Sequence, residues 1–286
     1  MSAPPARART ANEAQREYWT GDGPLQYAEH GDRWRTMMSP FYAALFDAAC
    51  LQPGERVLDI GCGFGHTAVE AAAQVAPGGT VTGVDISPQM LACARQRAAG
   101  AVGVGFLEAD AQVTPFDMAS YDALISGFGV VFFEHPRAAF TNLRAALRPD
   151  GRLAFVCWRG PLQSQWIAVA LAAITPVLQR APDLAEPGVP GPYAFADGDR
   201  LRDVLIASGF RTVSVGAITR PQRIADDAAD AASYVLSLPE WKRLLEGLPE
   251  LVRAEATAAL RAAFAPYAGP DGVVTAGSAW LATATR

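Results

Sequence analysis

Short apolar runs alternate with stretches of helical period through the middle of the chain. Val57-Leu58-Asp59-Ile60 is apolar except for Asp59 and runs into Gly61-Cys62-Gly63-Phe64-Gly65. A run that short, ended by glycines, predicts a buried parallel strand entering a tight turn. His66 to Val75 is alanine-rich and meets no breaker before Pro77, which predicts a helix. The pattern then repeats. Thr80 to Val84 reads as a second strand, and Pro88 to about Ala99 as a helix whose cap and first residue are Ser87 and Pro88. Val104–Glu108, Tyr121–Ser126 and Arg152–Trp158 supply three more strands, with a helix over Arg137–Leu147. Strands alternating with helices predict an α/β protein built on a parallel sheet.

The flanks are looser. Residues 1–12, rich in Pro, Ala and Arg, are expected to be a disordered tail. Glu13–Trp19 is expected as a short helix, Thr20–Pro24 as a break and Ser39–Ala49 as a second helix, with Phe41, Tyr42, Leu45 and Phe46 on one stripe. Beyond Trp158 come an apolar helix over Gln165–Leu178, a Pro/Gly-rich linker over Pro182–Pro192, and a helix over Asp199–Ser208 closed by Gly209. Phe210–Ile218 and Gly272–Thr285 read as strands six and seven. The segment between them reads as helices over Asp226–Leu238, Pro239–Leu248 and Glu250–Ala265. The chain is therefore expected to be one globular domain in six segments: the tail, N-terminal helices (13–50), a core (51–160), cap helices with strand six (161–218), a helical insertion (219–272) and the last strand (273–286).

Composition narrows the class. Half of the 286 residues are hydrophobic and 19% are charged, enough apolar content for a sizeable core. A formal net charge of −5 argues against general nucleic-acid binding, which needs a basic surface. No pair among the four cysteines is spaced C-x-x-C, and the three histidines show no ligand spacing, so no metal is expected. Isolated thiols, the lack of an apolar leader in the first residues and an apolar run too short to span a bilayer point to a cytoplasmic protein.

The candidate chemistry sits at the first turn. A dinucleotide fingerprint would read G-x-G-x-x-G. Here the pattern from Asp59 is D-x-G-x-G-x-G, with His66 where the third dinucleotide glycine would fall. Asp85 ends the second strand, at the offset where a carboxylate meets the two hydroxyls of a ribose. Because Ser87 and Pro88 already start the next helix, Asp85 is expected to be free for a ligand.

These motifs resemble those of the class I S-adenosyl-L-methionine (SAM)-dependent methyltransferases. The likeness spans Val57 to Trp158. Phe128-Gly129-Val130-Val131-Phe132-Phe133 and Leu147-Arg148-Pro149-Asp150-Gly151-Arg152-Leu153 are similar to the subgroup with ubiquinone/menaquinone C-methyltransferases and natural-product tailoring enzymes. The resemblance implies a Rossmann-like seven-stranded, mostly parallel sheet with an antiparallel last strand, N-terminal lid helices, and here a helical insertion before that strand. It implies that Gly61, Gly63 and Gly65 line the methionine part of SAM, with Asp59 holding the loop or the ligand amine through water. It places Asp85 on the ribose, Ile86 and Met90 beside the adenine, Asp110 and the Ala111 amide on its edge, and Ser126 nearby. Tyr18, Trp19, Phe132 and Trp166 are expected in the lid and substrate wall.

The expected activity is methyl transfer to a small, largely apolar or aromatic acceptor, possible natural-product or quinone-like metabolites included, leaving S-adenosyl-L-homocysteine. Substrate, not nucleic acid or membrane, is the expected partner, and a homodimer is possible. His135, after the fourth strand, is the candidate general base, with Glu134 second. His66 is expected near the SAM carboxylate or exposed, and His30 within reach only through a folded lid. The alternatives are a non-methylating enzyme of the same fold, an isomerase or cyclase, and an NAD(P)-dependent oxidoreductase, which the glycine spacing disfavours.

Overall fold

The computed structural model describes residues 12–21, 30–184 and 186–286. The expectations for residues 1–11 and Asp22–Pro24 fall outside them. Asn12, assigned above to a disordered tail, is buried and precedes helix α1 (Glu13–Thr20). Its backbone N–H donates to Glu134 Oε2 at 2.6 Å, and its amide reaches Asp110. Tertiary hydrogen bonds of this kind leave no trace in composition.

The sheet is built from β1 (Arg56–Ile60), β2 (Thr80–Asp85), β3 (Val104–Glu108), β4 (Tyr121–Gly127) and β5 (Leu147–Trp158), joined by α3 (His66–Val75), α4 (Pro88–Arg97) and α5 (Pro136–Ala146). Ahead of them lies α2 (Gly31–Ala49). Beyond them come α6 (Gln165–Leu178), α7 (Gly198–Ala207), β6 (Arg211–Ala225), α8 (Ala228–Ser237), α9 (Pro239–Leu245), α10 (Glu250–Phe264), the two-residue β7 (Ala268–Gly269) and β8 (Gly272–Thr285). The order across the sheet is β3-β2-β1-β4-β5-β8-β6. The first five strands are parallel, and β8 inserts antiparallel between β5 and β6. The direction of the chain across the sheet reverses between β1 and β4. A crevice opens at that switch point, beyond the carboxyl ends of the strands.

Strand β5 starts at Leu147, five residues before the expected Arg152, and two other elements are longer than the apolar pattern indicates for identifiable reasons. Helix α2 starts at Gly31 rather than Ser39 and runs straight through Pro40. A proline there removes a backbone donor. The stranded carbonyl of Thr36 is instead satisfied by the Ser39 hydroxyl at 3.0 Å. Strand β6 continues past Ile218 to Ala225, paired with β8 from Arg211↔Thr285 to Ala225↔Val273. Pro221 reads as a stop, but β6 is an edge strand, where a missing N–H faces away from the ladder.

That extension matters for the site. The long β6–β8 ribbon carries the insertion beyond the sheet. Helices α6, α8 and α10 pack on its tip around Trp241, Leu260, Phe264 and Ile174, with Met37 and Met38 of α2 in the same core. Arg33 fastens α2 to this cap. Its guanidinium donates to the Ile224 carbonyl at 2.6 Å and pairs with Asp230 at 2.8 Å. The main core lies on the two faces of the sheet, Phe140, Phe155 and Phe195 on one side and Phe41, Leu45 and Ala68 on the other. Among the described residues, no helix is long and apolar enough to cross a membrane.

Candidate active site

The carboxyl ends of β1 to β4 deliver the loop residues into one cavity of about 820 Å³. That lies toward the upper end of small-molecule sites, which span about 300–1,000 Å³. One end is bounded by Gly61, Cys62, Gly63 and His66 after β1, Asp85, Ile86 and Met90 from β2 and α4, and Asp110 and Ala111 after β3. Phe128, Trp158, Trp166, Tyr193 and Gln222 line the remainder, away from the glycine loop, and Tyr42 stands by Gly127 and Thr67.

The three glycines divide by role. All have positive φ, +63° at Gly61, +51° at Gly63 and +78° at Gly65, a region costly for residues with a Cβ. A Cβ on Gly61 would come 2.7 Å from Gly129 Cα, so the loops after β1 and β4 touch backbone to backbone at the switch point. A Cβ on Gly65 would come 2.8 Å from Ala94 Cβ. Gly65 is therefore spaced for packing of α4, and it does not line the cavity. Gly63 does. A Cβ there would meet only Met90 Sδ, at 3.7 Å.

Asp85 fixes this loop. Its carboxylate accepts from Gly63 N–H at 2.8 Å and from Ser87 N–H at 2.9 Å. It is thus not free of protein partners, although each oxygen keeps a second lone pair directed outside these bonds. Burial raises its pKa, against the opposing pull of the Ser87, Gly63 and Ile86 amides. Ser87 caps α4 by accepting from Met90 N–H, with Pro88 behind it. Asp110 is almost fully buried. Its Oδ1 accepts from Gln112 N–H at 2.9 Å and from Asn12 Nδ2 at 3.4 Å, whereas Oδ2 has no partner among the described residues.

Three expected site residues stand behind the cavity wall instead of on it. Asp59 is wholly buried beneath the loop. Its Oδ2 accepts from the Thr67 hydroxyl at 2.6 Å and its Oδ1 has no partner among the described residues. Burial, opposed by the Thr67 bond and aided by Asp85, pushes its carboxyl up to about 7. Ser126 is also wholly buried. Its hydroxyl donates to the Ile60 carbonyl at 2.7 Å and accepts from Gly129 N–H at 3.1 Å, tying the two loops together. Gly65, as above, serves α4. Ser126 and Gly65 therefore position the loops and do not line the cavity.

His135 is not at the site. It is exposed, and its backbone N–H donates to Gln112 Oε1 at 2.8 Å where α5 begins. It is not among the residues that line the cavity, so the structure does not bring the general-base candidate to the site. Glu134 is exposed as well and is engaged by Asn12. The histidine that does line the cavity is His66. Burial, with Arg97 and Arg35 nearby, holds its imidazole down to about 4. His30 bonds Ser237 at 3.1 Å on the cap.

Tyr18, Trp19, Phe132 and Trp166 all line the cavity, and Trp19 meets Phe132 edge-on at 5.0 Å. The sequence pattern left several wall residues unmarked. Phe128, held at φ +68°, stacks on Trp158 at 4.2 Å, and Phe41 stands edge-on to both. Glu240 of the insertion also lines the cavity, and burial raises its pKa. No cluster able to hold a metal ion is found among the described residues.

Residues 57–151 match the model of a family described as a methyltransferase domain. The chain is 34% identical over 179 residues to a demethylmenaquinone methyltransferase of Deinococcus radiodurans, covering 59% of this chain and 73% of that protein. The chain belongs to the class I SAM-dependent methyltransferase family. An uncharacterized protein of Mycobacterium tuberculosis is 32% identical over 160 residues, a match that spans about half (55%) of the length of each chain. In fold, the chain resembles the cyclase SpnF, with a TM-score of 0.57 at 20% identity over 98% of this chain and 97% of that one.

The family's cofactor is S-adenosyl-L-methionine, and the residues present fit it. The buried Oδ2 of Asp110, without a partner among the described residues, is an acceptor suited to an exocyclic amine. The second lone pairs of Asp85 suit a pair of hydroxyls. Gly63 leaves its side of the cavity open.

Proposed function

We propose that this chain transfers the methyl group of SAM to a small, largely apolar, ring-bearing acceptor. The observation that carries the reading is the continuity of one cavity from Asp85, Gly63 and Asp110 to the aromatic wall of Phe128, Trp158 and Trp166. Asp85 would hold the ribose and Asp110 the adenine edge, with Ile86 and Met90 against the ring. When bound, SAM supplies a sulfonium-activated methyl group, so the protein has mainly to align two reactants and exclude water. Alignment of that kind supplies about 7–11 kcal/mol. Residues of α1, α2 and the cap close over the cavity and lower its dielectric, which strengthens every charge contact inside.

His66, neutral at physiological pH, is a hydrogen-bonding group near the glycine loop rather than a cation. The aromatic wall favours flat apolar acceptors, and the quinone chemistry in the Deinococcus relative's name is consistent with that class. We further propose that the protein works in the cytoplasm.

Calorimetric titration with SAM, with NADH alongside, tests the reading. Asp85→Ala should weaken SAM by about tenfold or more, the worth of a charge-assisted hydrogen-bond pair. NADH binding without a SAM response would overturn it. Product analysis with methyl-labelled SAM separates methyl transfer from the second reading, a SAM-fold enzyme that does not methylate. The likeness to SpnF motivates that comparison.

A further inference from the structure

At the far end of the cavity one polar side chain stands apart from the rest. Gln222 of β6 is fully buried and lines the cavity, and neither its Oε1 nor its Nε2 has a partner among the described residues. Its cross-strand neighbour on β8, Thr275, is buried too, with Oγ1 equally unpartnered. Register partners share a face of the sheet, so three buried hydrogen-bonding atoms gather in one place. Proteins seldom leave such atoms unpaired, because a buried donor or acceptor without a partner loses its hydration for nothing.

The neighbouring Gln165 shows the contrast. Its Oε1 accepts from Ala276 N–H at 2.8 Å and serves the fold. Gln222 does no such work. It is nevertheless accommodated: a Cβ on Gly277 would lie 2.5 Å from Gln222 Oε1 and 2.9 Å from Phe41 Cζ. Gly277 thus keeps room for the carboxamide beside Phe41, the ring that stands edge-on to Phe128 and Trp158.

We propose that Gln222 is the polar anchor of the acceptor subsite, its carboxamide reading a neutral hydroxyl or carbonyl on an otherwise apolar ring system. A carboxamide offers a donor and an acceptor from one group and carries no charge. It therefore suits a neutral phenol, enol or ketone held among aromatic rings, and gives nothing to a bare hydrocarbon. Gln222 acts here in specificity, not in the chemical step. This rests on the reading of the cavity as a methyltransferase site.

The test uses the full chain saturated with S-adenosyl-L-homocysteine, and 2-naphthol and naphthalene as probes that differ in one hydroxyl. Binding is followed by equilibrium dialysis for the wild type, Gln222→Leu and Gln222→Glu. The wild type should prefer 2-naphthol by about tenfold, the scale of one net hydrogen bond. Gln222→Leu should lose that preference while binding naphthalene at least as well. Gln222→Glu keeps an acceptor and nearly the same shape, so it should retain part of the preference. Thermal unfolding of the ligand-free proteins adds a readout independent of binding. Gln222→Leu removes an unpaired buried amide and should unfold at the same or a higher temperature. A preference for 2-naphthol that survives in Gln222→Leu would overturn the proposal, as would a wild type that does not discriminate. If no variant binds S-adenosyl-L-homocysteine at all, the methyltransferase reading fails first. Cofactor binding with unaltered discrimination sinks only the role of Gln222.

Discussion

Asp59 shows how one residue links the strand to the pH response of the molecule. It is wholly buried with one oxygen bound to Thr67 and the other without a partner among the described residues. Its carboxyl titrates near 7 in the folded protein, against about 3.9 in an unfolded chain. Between those values the native state holds a proton that the unfolded state has lost. The slope of unfolding free energy with pH is then negative. The contribution of Asp59 is fully present below about pH 4 and is lost as pH rises through 7, on the order of 4 kcal/mol at most. Asn keeps the acceptor for Thr67 and removes the titration. Urea unfolding at pH 4.5 and 7.5 should therefore show Asp59→Asn gaining on the wild type by about 2–4 kcal/mol across that interval. A difference between the two proteins that does not move with pH would remove Asp59 as its source. The spacing D-x-G-x-G-x-G placed this residue at the loop, but spacing cannot say that the side chain turns under the loop and away from the ligand. The same limit applied to Ser126, spent between Ile60 and Gly129, and to His135, exposed at a helix start and outside the cavity lining.

At the scale of the element, the turn after β1 carries two different demands in one motif. Gly61 and Gly65 are glycines because protein backbone and Ala94 fill the space of a Cβ, whereas Gly63 faces the cavity. The two kinds separate by measurement. Gly61→Ala and Gly65→Ala combine a positive φ with a contact under 3 Å, and each should cost more than about 2 kcal/mol in urea unfolding. Gly63→Ala meets only the end of a flexible methionine side chain. It should cost about 1–2 kcal/mol and show its larger effect on SAM affinity. Equal stability losses at all three positions would contradict this division. The strands and helices from Val57 to Trp158 were legible because their hydrophobic period and glycine turns are local. The continuation of β6 was not. Thr219-Arg220-Pro221 looks like a loop until β8 is known to lie beside it, and Gln222 was hidden with it.

For the whole molecule, the cavity is closed by parts of the chain far apart in sequence. Contacts of helix α1 and of Asn12 just before it reach the neighbourhood of Asp85, the Asp110 carboxylate and the lid ring Phe132. Gln89 Nε2, between Asp85 and Met90, donates to the Thr20 carbonyl at 2.6 Å. Trp19 packs on Phe132, and Asn12 reaches Asp110 and Glu134. These contacts lie at the edge of the fold, away from the centre of the sheet, where local opening costs least. A ligand held by Asp85 and Asp110 should fix the same residues that anchor α1. At about one hundred times its Kd, S-adenosyl-L-homocysteine adds about 2.7 kcal/mol to the native state. For a chain of this size that should raise Tm by about 5–10 °C. Hydrogen exchange at short labelling times should then slow across residues 13–20, while the centre of the sheet, already closed on that timescale, should not change. A rise in Tm with no added protection in residues 13–20 would mean that α1 is bystander rather than lid. The cofactor end would then be closed by the glycine loop and α2, whose His66 and Arg35 both line the cavity.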